Sequence, residues 1–234
     1  MLFRSKQKRA IKWSMLAGFL LGLHFLAFFA AMRYTTVATG TALTCLQPIF
    51  AALYVSLRGS KIPRKSWSGM AIAFLSVFFI TGIDLALGTK YFLGDLTGIL
   101  GGALAAAYML TGAHAQKVIS TSTYAVVCYF FSAVTALCAA LIFGVQLWGF
   151  KAREWFLCAL LILGAQILGH TMFNLTLKRV SPVIVSLIVF FEVPVSAILA
   201  AIWLHQKLAS GIIPGLLGLL IGCSLFVVRS SSND

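Results

Sequence analysis

The chain has 234 residues, 61% of them hydrophobic and 10% charged, with a mean hydropathy of +1.00 and a formal net charge of +13. Soluble domains carry about 25% charged residues, so a water-soluble fold is excluded. A transmembrane β-barrel is excluded as well, because it would show segments of about 10 residues alternating in polarity, and none here alternates.

What remains is an all-α, polytopic helical membrane protein. A helix needs roughly 20 apolar residues to cross a bilayer. The first basic stretch, Arg4 to Lys12, followed by an apolar run, has the form of a secretory signal peptide with a cleavage point near Ala30–Ala31. The internal repeat described below argues against cleavage, because the same run matches a helix deep in the chain. Eight spans are predicted: 11–32, 36–57, 66–86, 94–115, 122–146, 154–177, 181–204 and 211–228. The connections are short and polar, among them Arg33–Thr35, Arg58–Lys65, Leu87–Leu93 and His205–Ser210. None has room for a soluble domain. The basic residues sit in these short loops, so they report orientation, and binding of nucleic acid is not expected. Cys45, Cys128, Cys138, Cys158 and Cys223 all fall in apolar segments without a Cys-x-x-Cys pair. They read as small buried hydrophobes, and neither a metal nor a cofactor is expected.

Orientation follows from lysine and arginine. With the N-terminus inside, the cytoplasmic segments hold 13 of the 18 basic residues. The opposite side holds Arg33, Lys90, Lys151, Arg153 and Lys207, with Asp84, Asp95 and Glu154 also falling there. Both termini are therefore expected in the cytoplasm, with the chain in the cell membrane.

Residues 18–69 reappear 146 positions later as 164–215. Gly18 meets Gly164, His24 meets His170, Arg33 meets Arg179, Pro48 meets Pro194, Lys61 meets Lys207 and Gly69 meets Gly215. The first three spans thus match the last three. The first enters from the cytoplasm and the sixth from outside, so the repeat is inverted, the ground plan of many secondary transporters. The fourth and fifth spans lack partners, which would lie roughly 50 residues before Met1 at two spans' length. The chain divides into 1–92, an incomplete first repeat, and 93–234, a complete second one.

Two segments carry a family resemblance: Leu43-Thr-Cys-Leu-Gln-Pro48-Ile-Phe-Ala-Ala and Ile188-Val-Phe-Phe-Glu-Val-Pro194-Val-Ser-Ala. Each follows a short turn after a helix ending in Arg33-Tyr34 or Lys178-Arg179, and glycine-rich final helices follow. With them the whole chain resembles the EamA type of the drug/metabolite transporter superfamily. The resemblance implies ten spans in two inverted halves of five, of which this chain would hold the third to tenth. The absence of the first two would mark a truncation, a wrong start or an eight-span variant. A frequent Gly-Glu pair of the family stands here as Gly59-Ser60 and His205-Gln206, which puts any role of that glutamate in doubt.

Candidate cavity residues come from polar groups in the spans. Gln166, His170 and Asn174 are spaced i, i+4, i+8, one face of an α-helix. Such a stripe faces protein or a wet cavity rather than lipid, though it can also serve as interhelical glue. Thr36, Gly40, Thr44 and Gln47 form a matching stripe on the second span. Pro48 and Pro194 each free a carbonyl about one turn earlier, near Thr44 and Phe190, and matched breaks of this kind point to a transporter site. Glu192 reads as the only carboxylate inside a span, so it needs a partner, a proton or water. It is a candidate for binding a substrate amine or carrying a coupling proton, with His170 as partner. His24 mirrors His170, and Tyr108 shares a face with Thr111. Gly18/Gly22, Gly98/Gly102, Gly211/Gly215 and Gly218/Gly222 are spaced for close helix contact.

These features favour a secondary transporter exporting a small metabolite (an amino acid, a nucleoside or a drug-like compound) by alternating access. Expected partners are that solute, the lipid bilayer and protons; oligomeric state is left open. There is no P-loop. An intramembrane enzyme would need a nucleophile–base pair or paired carboxylates, and no such cluster is legible. The alternative is a non-transporting membrane partner or an inactive truncated fragment.

Overall fold

A computed structural model describes residues 2–59, 66–172, 192–207 and 210–231. The elements among them are helical: α1 (Leu2–Tyr34), α2 (Val37–Thr44), α3 (Gln47–Leu57), α4 (Ser66–Leu87), α5 (Thr89–Gln116), α6 (Thr121–Ile142), α7 (Ala152–Leu161), a π-helical segment (Ile162–Thr171), α8 (Glu192–Trp203) and α9 (Ile212–Ser231). In hydrocarbon each backbone N–H and C=O must be satisfied within its own segment, and helices do this. Six helical stretches among the described residues are long and apolar enough to cross a membrane, with α2 and the start of α3 forming one and α7 and most of the π segment another.

Two boundaries differ from the sequence reading for local reasons. The predicted connection Leu87–Leu93 shrinks to one residue, Gly88, at φ +142°. Without a Cβ, glycine takes this conformation freely, so the chain reverses between α4 and α5 in a single step. Lys90 then belongs to the first turn of α5. The second predicted span is two helices, interrupted at Cys45–Leu46. Pro48 has no N–H and its ring excludes the Thr44 carbonyl from a helical bond, so α2 stops and α3 restarts with Pro48 in its first turn.

α5 occupies the middle of the packing, against α1, α2, α3 and α4. One apolar core lies between α1, α5 and α6 around Leu21, Ala105, Tyr124 and Cys128. A second joins α2, α3, α4 and α9 around Leu43, Ile49, Ile80, Leu219 and Phe226, and Val193 of α8 enters it. The small residues set the spacing. A methyl on Gly222 would lie 2.5 Å from the Ala73 amide nitrogen and 2.8 Å from the Gly69 carbonyl oxygen, so α4 and α9 cross in backbone contact. These two helices are matched spans of the repeat. Gly18 and Gly22 bring α1 equally close to α6.

Candidate functional site

The candidate site centres on the helix break. Ile49 N–H donates to the Leu46 carbonyl at 2.9 Å and Leu46 N–H to the Leu43 carbonyl at 3.3 Å, so the chain passes the break in a tight turn. The Thr44 carbonyl faces α5. A methyl on Gly102 would stand 2.9 Å from that oxygen and 3.2 Å from the Leu43 carbonyl, so only glycine lets α5 meet the break. The half-buried Thr44 hydroxyl donates to the Gly40 carbonyl at 2.9 Å and lies 3.3 Å from the Gly98 carbonyl, tying α2 to α5. Gln47, also half-buried, points its amide nitrogen at the Met109 sulfur.

His24 approaches the same stretch of α5 from α1. It is 7% exposed, and its Nδ1 lies 2.8 Å from the Gly101 carbonyl oxygen. A carbonyl only accepts, so Nδ1 carries a proton in this contact and Nε2 takes no part in it. Its ring stacks on Phe28 at a centroid distance of 6.1 Å and leans on Tyr108 at 6.5 Å. Tyr108 is buried against α1 and α6. The structure therefore gathers His24, Thr44, Gln47 and Tyr108 around Gly98–Met109 of α5.

The remaining predicted residues are placed differently. Glu192 opens α8 and is accessible, within electrostatic reach of the buried Cys45 thiol at the break. Pro194 stands in the first turn of α8. Gln166 is half-buried in the π-helical segment, where the Thr171 hydroxyl donates to its carbonyl at 3.0 Å. The predicted stripe assumed α-helical winding, and from Ile162 to Thr171 the winding is wider. Asn174, the carbonyl near Phe190 and the side chain of His170 lie outside the described residues, as does any His170–Glu192 contact. Thr36 leaves the stripe of the second span: its hydroxyl caps α2, accepting from Thr39 N–H at 3.2 Å.

The EamA-like transporter family model matches residues 1–82 and 92–228. The chain belongs to the EamA-like transporter family. A solved crystal structure is similar with a TM-score of 0.57 and 21% identity, over 94% of this chain and 76% of the other, a likeness of fold. No curated protein matches. The transporter is thus a multi-pass membrane protein of a family that moves small molecules.

The turn after α8, His205-Gln206, has a distinct form. His205 takes the left-handed conformation, φ 52°, and the Gln206 side-chain oxygen accepts from Val37 N–H at 3.1 Å. An amide at this position thereby satisfies the start of α2 from 169 residues away. Beside it lies a cleft of about 320 Å³ lined by residues from Met32–Thr36, Lys90–Tyr91 and Gln206–Lys207. It sits at the Arg33 end of the bundle and not at the helix break.

One expectation is overturned. Glu192 is not the only acid within a span: Asp84 and Asp95 lie inside α4 and α5, both 0% exposed. The sequence reading set them among the flanking charges. Their positions within apolar runs were the available signal.

Proposed function

We propose that this transporter exports a small amphipathic solute, of the size and polarity of an amino acid, a nucleoside or a drug-like compound, by alternating access at the α2–α3 break. The observation that carries the reading is the break itself. A carbonyl freed by Pro48 stands beside the Thr44 hydroxyl, the Gln47 amide and the aromatic wall of His24, Phe28 and Tyr108. Neutral donors and acceptors beside aromatic faces suit a solute with an apolar body and a few polar groups. Glu192, within electrostatic reach of Cys45 at the break, supports a role for a substrate amine or a proton. On the positive-inside reading both termini are cytoplasmic, and the Arg33 end faces outward.

The test is efflux of a panel of amino acids, nucleosides and dyes from cells expressing the chain, against Thr44→Val and Gln47→Leu. Loss of efflux at unchanged membrane abundance is expected for both variants. Full efflux by both would remove the site from the break.

A second reading has one observation behind it. None of the residues Ala152–Leu161 of α7 is buried within this chain. Such a helix suits a membrane partner that lays α7 on another protein. Cross-linking from single cysteines along α7 in native membranes distinguishes the two: adducts to a second polypeptide support the partner, and lipid adducts alone refute it.

A further inference from the structure

Asp84 lies four residues before the single-residue turn at Gly88, and Asp95 seven after it, so the reversal sets the two acids side by side. Both are wholly buried. Thr35, in the turn between α1 and α2, closes the arrangement from above, its hydroxyl donating to Asp84 Oδ2 at 3.3 Å. The two groups act on each other electrostatically, and Gly94, next to Asp95, packs on the same Thr35 whose hydroxyl reaches Asp84. Yet Asp84 Oδ1 and both oxygens of Asp95 have no hydrogen-bond partner.

That deficit has a chemical solution. Two carboxylates are acceptors only, and like charges in contact away from water cannot both persist. A carboxylic acid facing a carboxylate has a donor, and a single proton between them pairs one oxygen of each acid, two of the three orphans. A hard cation is a poorer fit. Calcium takes 6–8 oxygen ligands. Here three orphaned carboxyl oxygens and one hydroxyl converge, and no cluster of three or more His, Cys, Asp or Glu occurs among the described residues.

We propose that Asp84 and Asp95 form a proton-binding site, one proton shared between the two carboxyl groups, which latches α4, α5 and the α1–α2 turn together at the Arg33 end of the bundle. The inference goes beyond the transport reading and does not need it. Gly94 supports the tight geometry, since a side chain there would meet the backbone of Thr35 and Tyr34. The groups facing this end are Arg33 and Tyr34 from α1, Lys90 and Tyr91 from α5, and Lys207 after α8, all on the adjoining cleft. The cations have other routes to water, and none supplies the missing hydrogen bond. The sign follows: the latch holds while the proton is bound and loosens as rising pH removes it.

The chain makes this directly measurable, because Asp84 and Asp95 share their residue type only with Asp234 at the chain end. The experiment is pH-difference infrared spectroscopy of the purified protein in lipid nanodiscs, with aspartate carboxyl carbons labelled with carbon-13. A label-shifted carboxylic-acid band at neutral pH is expected, lost as pH rises and lost in both Asp84→Asn and Asp95→Asn. In those variants the asparagine amide donates to the remaining carboxylate in place of the proton. The fall in melting temperature with rising pH is expected to be smaller in both variants than in the unaltered protein. Absence of the labelled band at neutral pH in the unaltered protein overturns the proposal even if neither variant folds. Its persistence in one variant also overturns it, since one acid then holds the proton alone. Neither readout involves a solute, so failure here and failure of the transport assay are separate results.

Discussion

Adjacent glycines of α5 separate the packing of the helix break from every other property of that helix. A methyl on Gly102 would lie 2.9 Å from the Thr44 carbonyl oxygen, whereas one on Gly101 meets nothing closer than 3.6 Å. The first is roughly half an ångström inside ordinary contact, and the second is ordinary contact. The obstructing atoms at Gly102 are backbone carbonyls, so relief requires moving α2 and α3 away from α5. Overpacking of this kind costs about 1–3 kcal/mol. Both Gly→Ala changes also gain up to about 1 kcal/mol of helix propensity, which cancels when the variants are compared with each other. Gly102→Ala is therefore expected to be about 2 kcal/mol less stable than Gly101→Ala. For a chain of this size that is a split in melting temperature of about 4–8 °C. Thermal unfolding of the two proteins in one detergent measures it, and efflux should fall for Gly102→Ala alone. Equal melting temperatures, or a more stable Gly102→Ala, would refute the packing of α5 on the break.

The crossing of α4 and α9 offers a parallel comparison. Gly222→Ala places a methyl 2.5 Å from the Ala73 nitrogen, while one at Gly82 has nothing within 4 Å. Gly222→Ala should melt lower by an amount corresponding to about 1–3 kcal/mol, and Gly82→Ala should be neutral or slightly stabilised; unfolding curves of both decide it. Glu192→Gln removes the acid near Cys45 while keeping its shape. Efflux is expected to lose its pH dependence and most of its rate, and an unchanged pH profile at full rate would eliminate Glu192 from the transport step.

The spans were legible because the bilayer imposes a length and a composition on any segment that crosses it. The break at Pro48 was legible for a related reason: proline acts through its own ring on the carbonyl four residues back, an effect contained within one turn. Thr36 caps α2, a role the sequence pattern does not separate from lining because a hydroxyl serves both. The length of the α4–α5 connection was hidden by Lys90, which reads as a loop residue. A lysine in the first turn of a helix at a membrane edge can extend its charge back to water. The acids Asp84 and Asp95 stand inside the predicted spans 66–86 and 94–115, but so close to their ends that they read as flanking charges. Their burial depends partly on Thr35, 49 residues before Asp84, and no local pattern encodes that contact.

The two sites share one rigid element. α5 carries Asp95 in its second turn, Gly98, Gly101 and Gly102 against α2, His24 and the break, and Tyr108 and Met109 at the aromatic wall. Its length runs from Thr89 to Gln116 with Gly98, Gly101 and Gly102 buried against neighbours. On the proton-binding proposal, loss of the proton from the Asp84–Asp95 pair would loosen α4 from α5 at one end. The glycine contacts hold α5 to α2 without intervening side chains, so a displacement of α5 at that end would meet the Thr44 carbonyl directly. Linkage is reciprocal in binding free energy, so if the proposed solute and the proposed proton both act on the position of α5, each would shift the other's affinity by the same factor. A helix lined with glycine on its working face thus does two things at once. It lets the broken helix approach α5 in backbone contact, and it leaves no side-chain layer between α5 and α2 there.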